Sequence, residues 1–265
     1  MNTPSRVAVV TGGARGIGRA ISRQLAKQGC KVVIATRTLE PATKVVDEIE
    51  RAGGQAFAMA LDVSDRKQVE RVFGDILGQF GRIEVLVNNA GGSARGDMSL
   101  FRHADAEVWE RIFATNLMGV LYTCRQAINP MLNQQFGRII NIASVAGMIG
   151  TAGQADYSAA KGGVIAFSAA LAKETAGKGV TVNCVSPGPT VSEAAREMTP
   201  ESMRNTPYEG LARSTGFNRF GEADDVANIV SFLASDKADF ITGQNHPVCG
   251  VMNLGIVDQL GGQRD

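Results

Sequence analysis

Ser144, Tyr157 and Lys161 stand 13 and four residues apart in SVAGMIGTAGQADYSAAK, a stretch made mostly of small side chains. A helix brings residues four apart onto one face, so a helix spanning Tyr157 and Lys161 holds a phenol beside an ammonium. A free tyrosine has a pKa near 10, leaving about a thousandth as phenolate at pH 7. One ammonium about 4 Å away is worth up to roughly 4 kcal/mol at an effective dielectric of 20, or about three pKa units. That pairing suits proton transfer at the phenol oxygen, with the Ser144 hydroxyl as a further donor.

A second chemical signal lies near the start. Thr11-Gly12-Gly13-Ala14-Arg15-Gly16-Ile17-Gly18 joins a strand-like run to a helix-like one. Glycines let the main chain turn tightly and approach a pyrophosphate, and the following helix offers free N–H groups and its positive end. The spacing is GxxxGxG rather than the GxGxxG of the common dinucleotide fingerprint. About 20 residues on, where NAD sites place a carboxylate for the ribose 2′-hydroxyl, this chain has Thr36 and Arg37. With no acid to repel a 2′-phosphate and guanidiniums at Arg37 and Arg15 to bind one, the reading is NADP(H) over NAD(H).

Positioning these groups requires an alternating chain. Strand-like runs are Val7–Val10, Lys31–Ala35, Ala56–Leu61, Val85–Asn88, Arg138–Ala143, Val180–Val185 and a weaker Gln244–Val248. Between them lie helical patterns at Gly16–Gln28, Leu39–Ala52, Asp65–Phe80, Asp105–Leu132, Gln154–Ala176 and Glu222–Leu233. Strands apolar at nearly every position are buried on both faces. The expectation is therefore an α/β fold: a doubly wound, parallel seven-stranded, Rossmann-like sheet with helices on both faces. The 265 residues suit a single domain, 1–265. Residues 189–220, long for a connection and placed after a strand end, read as a substrate-binding lid.

Composition narrows the function. Hydrophobic residues make up 44% and charged ones 20%, ordinary for a globular protein. Lys plus Arg number 27 against 26 acids, which argues against a nucleic-acid partner or a polybasic membrane patch. No run approaches the roughly 18 apolar residues of a membrane span. MNTPSRVAVVTGG passes almost directly into a strand, so no secretory leader is expected and a cytoplasmic location is. Cys30, Cys124, Cys184 and Cys249 form no CxxC and read as reduced, buried thiols. His103 and His246 lack zinc-site spacing, so no metal is expected.

Together these residues resemble the short-chain dehydrogenases/reductases over essentially the whole chain. The resemblance rests on Thr11–Gly18, Asp62-Val63, Asn88-Asn89-Ala90-Gly91, Asn116, Ser144, Tyr157 with Lys161, and Pro187-Gly188, in that order. It implies that Tyr157 is the general acid or base at a carbonyl or alcohol oxygen and that Ser144 donates to that oxygen. Lys161 would also hold the nicotinamide ribose, and Asn116 would carry a relay water. Asp62 and Val63 would contact the adenine. Asn89, Ala90 and Gly91 would line the cleft, and Pro187, Gly188 and Thr190 would lie against the nicotinamide. The implied reaction is hydride transfer between nicotinamide and a small carbonyl or alcohol substrate. An NAD(H)-dependent alcohol dehydrogenase and a non-catalytic cofactor-binding scaffold are the alternatives. Relatives of this kind are commonly homo-oligomers, tetramers or dimers.

Two places depart from the pattern. Thr242-Gly243-Gln244 is present, but Pro247 interrupts the last strand and Cys249-Gly250-Val251 replaces an Asp-Gly-Gly turn. Proline is tolerated at a sheet edge, so this strand is expected there, followed by a partly flexible tail, Met252–Asp265. The substrate pocket is expected from Gly92–Leu100, Val145–Gln154 and Pro189–Phe220. Its apolar wall should include Met148, Ile149, Val191, Ala194, Ala195 and Met198, with Arg95 at the surface. GQADYSAAKGGVIAFSAALAKE looks most like the 3-oxoacyl-thioester reductases. Carrier-protein users among them tend to carry basic residues where this chain has Gln134-Gln135 and Lys178, which supports that reading only halfway. Small or cyclic ketones and alcohols fit equally.

Overall fold

Seven runs of β-branched and small apolar residues form one sheet in the computed structural model, which describes residues 5–93, 98–191 and 207–255. The strands are β1 Val7–Thr11, β2 Lys31–Thr36, β3 Gln55–Ala60, β4 Val85–Asn88, β5 Gly137–Ile142, β6 Val180–Pro187 and β7 Asn245–Val248. Their spatial order is β3-β2-β1-β4-β5-β6-β7, and every neighbouring pair is parallel. β1, β4, β5 and β6 are buried at every residue, which requires cover on both faces.

Two helical layers supply that cover, each over its own core. On one face, α1 (Gly16–Lys27), α2 (Leu39–Arg51) and a late helix, Ala223–Leu233, contribute Ile21, Leu25, Val45, Ile49, Val226 and Val230. On the other, α3 (Arg66–Phe80), α5 (Gly119–Asn133) and α7 (Ala155–Thr175) contribute Val72, Phe73, Ile76, Met131 and Val164. Each fully buried side chain of this size is worth about 1.5–3 kcal/mol. Asp65 caps α3 by accepting from the Gln68 N–H at 3.1 Å, and Gly81 ends it in the left-handed conformation. Among the described residues, no helix is long and apolar enough to cross a membrane.

The expected helix Asp105–Leu132 is broken. It comprises α4 (Ala106–Phe113), one wide π turn at Ala114–Met118, and α5. The Asn116 side-chain amide donates to the Ile112 carbonyl at 3.0 Å. It thereby takes the acceptor that the main-chain i→i−4 ladder would use, and a wider turn results. A four-residue helix, α6 (Ala146–Ile149), precedes α7; α8 (Pro207–Arg213) and α9 (Ala223–Leu233) follow β6.

All four cysteines are free and buried. Burial pushes the Cys30 and Cys184 thiols up to about 11 and Cys124 to about 12, making them poor nucleophiles. Within the expected lid, Val191 N–H donates to the Gly221 carbonyl and Gly221 N–H to the Pro189 carbonyl, each at 2.9 Å. Residues 192–206, and with them Ala194, Ala195 and Met198, lie outside the described residues, as do Arg95 and most of the tail.

β7 is the sheet edge, with Pro247 opposite Ser186. The Gln244 and Val248 carbonyls accept from Cys184 and Gly188 of the β6 side. Alternation along a strand then turns the Pro247 nitrogen to the outer edge, where a missing donor costs nothing. In the turn that follows, Gly250 and Val251 both have positive φ, 56° and 70°. Gly250 suits this, but an L-residue in the left-handed region costs about 1–2 kcal/mol, and β-branching adds to it. Val251 is 44% exposed and buries little. Val251→Gly should therefore stabilise the fold by about 1 kcal/mol after the entropy cost of glycine. Thermal denaturation should show a melting point about 2–4 °C higher; a lower one would show that the valine side chain matters more than its backbone.

Candidate active site

Strand order reverses between β1 and β4, which opens a crevice at their carboxyl ends. Thr11 and Asn88 are register partners there. The glycine turn begins at Gly12, whose N–H donates to the Ala35 carbonyl at 2.7 Å. Its φ is 64°, and a Cβ on it would meet the Ala90 Cα at 3.0 Å. A Cβ on Gly18 would meet the Gly12 carbonyl oxygen at 2.2 Å, so the first turn of α1 closes directly onto the loop. Gly16 takes φ 48° within the turn itself.

Polar side chains brace these loops from behind. The Asn89 amide donates to the carbonyls of Thr11 and Gly12, both at 3.1 Å. Thr11 Oγ1 accepts from the N–H groups of Asn89 and Ala90 at 3.0 and 3.1 Å. Asn116 is 1% exposed and clamps the loop after β4. Its Oδ1 accepts from the Gly92 N–H and its Nδ2 donates to the Gly92 carbonyl, each at 3.1 Å. The amide that the resemblance assigns to a relay water thus holds Gly92 and Ile112.

Two connected cavities result. One, of about 460 Å³, is lined by Gly12, Arg15, Thr36, Arg37, Asp62, Val63, Ala90, Gly91 and Asn116. The other, of about 790 Å³, is lined by Gly12, Arg15, Ile17, Gly18, Asn89, Ala90, Gly91, Ser144, Tyr157, Lys161, Pro187, Gly188 and Thr190. Every catalytic and cofactor-binding residue singled out from the sequence except Gly16 therefore lines one cavity or both. Several lining residues were missed, Arg111, Thr115 and Met252 among them. Arg111 and Thr115 stand on the Asn116 helix at helical spacing, a signal that could have found them. Met252 follows the last strand and carried no signal.

One expectation is corrected. Met148 and Ile149 are 39% and 48% exposed and line neither cavity. A Cβ on Gly147 would lie 2.6 Å from the Lys161 main chain, so α6 packs through its glycine and turns its large side chains outward. Val191 also lies off both linings.

The polar centre is on α7. Lys161 is 3% exposed, and its Nζ donates to the Ile142 carbonyl at 2.8 Å. That Nζ lies 5.8 Å from the centroid of the Tyr157 ring, as the four-residue spacing predicts. Burial brings the Lys161 ammonium down to about 8, with the Cys184 thiol pulling weakly the other way. A Cβ on Gly91 would stand 2.4 Å from Asn116 Oδ1 and 3.4 Å from Lys161 Nζ, so the loop touches both. Ser144 Oγ accepts from the Ala146 N–H at 3.1 Å, leaving its own proton to donate into the cavity.

These features fit a dinucleotide. The N-cap of α1 is Arg15, which makes no side-chain cap hydrogen bond, and the first turn holds no acid. The N–H groups and positive helix end therefore face the crevice with no competing side chain. Gly12, Gly18 and Gly91 let the loops after β1 and β4 close on one another at its floor, where a Cβ would meet Ala90, the Gly12 carbonyl or Asn116.

A family model described as short chain dehydrogenase matches residues 6–202. The 3-oxoacyl-(acyl-carrier-protein) reductase FabG of Staphylococcus aureus strain Mu50 is 41% identical over 251 residues, covering 94% of this chain and 99% of the relative. The protein of that name from Escherichia coli K12 is 40% identical over 254 residues, covering 96% and 100%. The crystal structure of gox2181 superposes with a TM-score of 0.89 at 31% identity, covering 96% of this chain and 97% of that one.

The depressed Lys161 carries a pH signature. Between about 8 and the ordinary 10.5, the unfolded chain binds a proton that the folded chain does not. Stability from this group therefore rises with pH through that window. Urea denaturation of wild type against Lys161→Met should show the wild type gaining about 2 kcal/mol on the variant between pH 7 and pH 10. A difference flat in pH would mean that Lys161 titrates as an ordinary lysine.

Proposed function

This chain belongs to the short-chain dehydrogenase family and so is an NAD(P)-dependent oxidoreductase of carbonyl or hydroxyl groups, and we propose that it transfers hydride between NADP(H) and a ketone or secondary alcohol. The observation that carries this reading is the convergence of Tyr157, Lys161 and Ser144 on one cavity that also receives the glycine turn. When bound, the nicotinamide supplies or accepts the hydride. Tyr157 gives its phenol proton to the carbonyl oxygen, or takes one from the alcohol in reverse. Ser144 donates its free hydroxyl proton to the same oxygen and orients it. Lys161 stabilises the phenolate that remains and holds the ribose hydroxyls.

The choice of NADP(H) rests on charge. Arg15 and Arg37 line the smaller cavity, whose lone lining carboxylate among the described residues is Asp62. Asp62 Oδ1 already accepts from the Ser64 N–H and hydroxyl at 2.9 and 2.7 Å. Glu40 nearby is engaged by Lys44, which holds its carboxyl below the usual range, with Arg15 adding to the effect. The 2′-phosphate thus meets two guanidiniums and no competing free acid. Asp62 and Val63 flank the adenine, Gly12, Ile17 and Gly18 the pyrophosphate, and Pro187, Gly188 and Thr190 the nicotinamide.

Residues 1–265 act in this reading as one catalytic domain, with 189–220 as the lid. Pairing of Thr190 with Gly221 pins the ends of that segment, and Leu211 reaches the larger cavity. The substrate is a small 3-oxoacyl ester or thioester, or a ketone of similar size. Gln134, at one of the two positions where carrier-protein users carry a cation, bonds instead to the carbonyls of Ile83 and Phe136 at 2.7 and 2.8 Å. Exposed Phe217, Phe240 and Leu254 support assembly into a homo-oligomer.

Two measurements test the reading. Tyr157→Phe should lower kcat by at least about 100-fold while NADPH binding stays within about twofold; full turnover by that variant would sink the mechanism. Arg37→Ala should weaken NADPH by about 10-fold or more, and NADH far less, in a fluorescence titration. Equal losses would show that Arg37 does not read the phosphate.

A further inference from the structure

α7 has almost no preferred side. Its 21 residues, ADYSAAKGGVIAFSAALAKET, are small or apolar around most of the circumference. Hydrophobic burial alone therefore does not select its rotation about its own axis. Two neighbouring contacts are made through glycine: Gly147 packs closely on the main chain at Lys161 and Gly162, and Gly163 faces Leu117. The chemistry nevertheless needs that rotation fixed. Tyr157 and Lys161 enter the cavity from the first two turns, and a displacement of about 1 Å costs on the order of 100-fold in rate.

Three buried polar side chains occupy one stripe of the helix. Lys161, Ser168 and Thr175 are 3%, 1% and 1% exposed and stand seven residues apart, which is close to two full turns. Each engages the sheet. Lys161 Nζ donates to the Ile142 carbonyl at the end of β5. Ser168 Oγ accepts from Asn141 Nδ2 of β5 at 2.8 Å and from the Cys184 thiol of β6 at 3.0 Å, and donates to the Val164 carbonyl at 2.7 Å. Thr175 Oγ1 lies 3.3 Å from the Val180 carbonyl of β6.

The middle rung continues into the core. Asn141 Oδ1 accepts from Asn88 Nδ2 at 2.8 Å, and Asn88 Oδ1 accepts from Thr123 Oγ1 at 2.7 Å. Thr123, Asn88, Asn141 and Ser168 are all 3% exposed or less, so a polar line runs from α5 through β4 and β5 to α7. Rotating α7 out of register would leave a buried amide and hydroxyl unpaired, whereas Ala or Val at those places would tolerate the change.

We infer that Ser168, held by Asn141, is a positioning residue: it keys the rotation of α7 and so sets where Tyr157 and Lys161 point. Its catalytic consequence rests on the hydride-transfer reading above, but the key itself is geometric. A buried polar contact that fixes register rather than adding stability is a known use of such groups.

The test compares full-length wild type, Ser168→Ala, Ser168→Thr and Tyr157→Phe, with NADPH and ethyl acetoacetate as probes. Ser168→Ala should lose about 10-fold in kcat, with KM and the NADPH Kd within about twofold, and Ser168→Thr should recover most of the loss. In parallel, 13Cε-lysine NMR follows the titration of Lys161, which faces Tyr157 on its own helix, Cys184 from β6 and Asn116 beyond Gly91. In Ser168→Ala that titration should move by a unit or more as Nζ leaves the Ile142 carbonyl. A folded Ser168→Ala with kcat within twofold of wild type and an unchanged Lys161 titration overturns the key. Should Ser168→Ala not fold, Ser168→Cys keeps size with a weaker bond and is read by the same criteria. Full turnover in Tyr157→Phe, or none in wild type, overturns the reaction instead, and the Lys161 titration still judges the key.

Discussion

The Lys161 ammonium is held out of water against one main-chain oxygen, that of Ile142. Removing a cation from water costs several kcal/mol, and one carbonyl returns only part of that. The remainder is borne by the two apolar cores and shows as the lysine's weakened hold on its proton. A residue placed so is stabilised by whatever brings negative or hydroxyl oxygen to it. The Gly91 main chain and the Tyr157 ring flank that atom on the cavity side. Chemistry and instability thus share a single atom.

Around that atom the crevice is built mainly of main chain. Thr11, Asn89 and Asn116 turn their side chains to neighbouring loops rather than to the opening, each satisfying peptide groups of another segment. The loops after β1 and β4 are locked together, and the glycines between them can approach a ligand closely. Such a surface suits phosphates and a flat ring better than it suits a particular side chain. Distinctive side chains gather at the two ends: guanidiniums of Arg15 and Arg37 at one, and Tyr157, Ser144, Leu211 and Met252 at the other.

Much of this was legible in the sequence, for physical reasons. Doubly buried strands are apolar at most positions, so β1, β4, β5 and β6 announced themselves. The Tyr157–Lys161 face followed from helical spacing alone. What escaped depended on contacts between distant segments. The π turn forms where the Asn116 amide takes the Ile112 carbonyl while the same side chain clamps Gly92, 24 residues away, and local periodicity through Asp105–Leu132 carries no trace of it. Met148 and Ile149 look like pocket residues until Gly147 is seated on α7. Met252 enters the cavity only because the last turn folds back over Gly188, against which Cys249 packs.

Pro247 sits midway along the outermost strand with its nitrogen turned away from β6. A free strand edge is otherwise a template on which another extended chain can add by main-chain pairing. Here the template lacks a donor at its centre, which weakens main-chain pairing of a neighbouring molecule on β7. Crowded, newly made copies are thereby steered away from sheet-to-sheet aggregation.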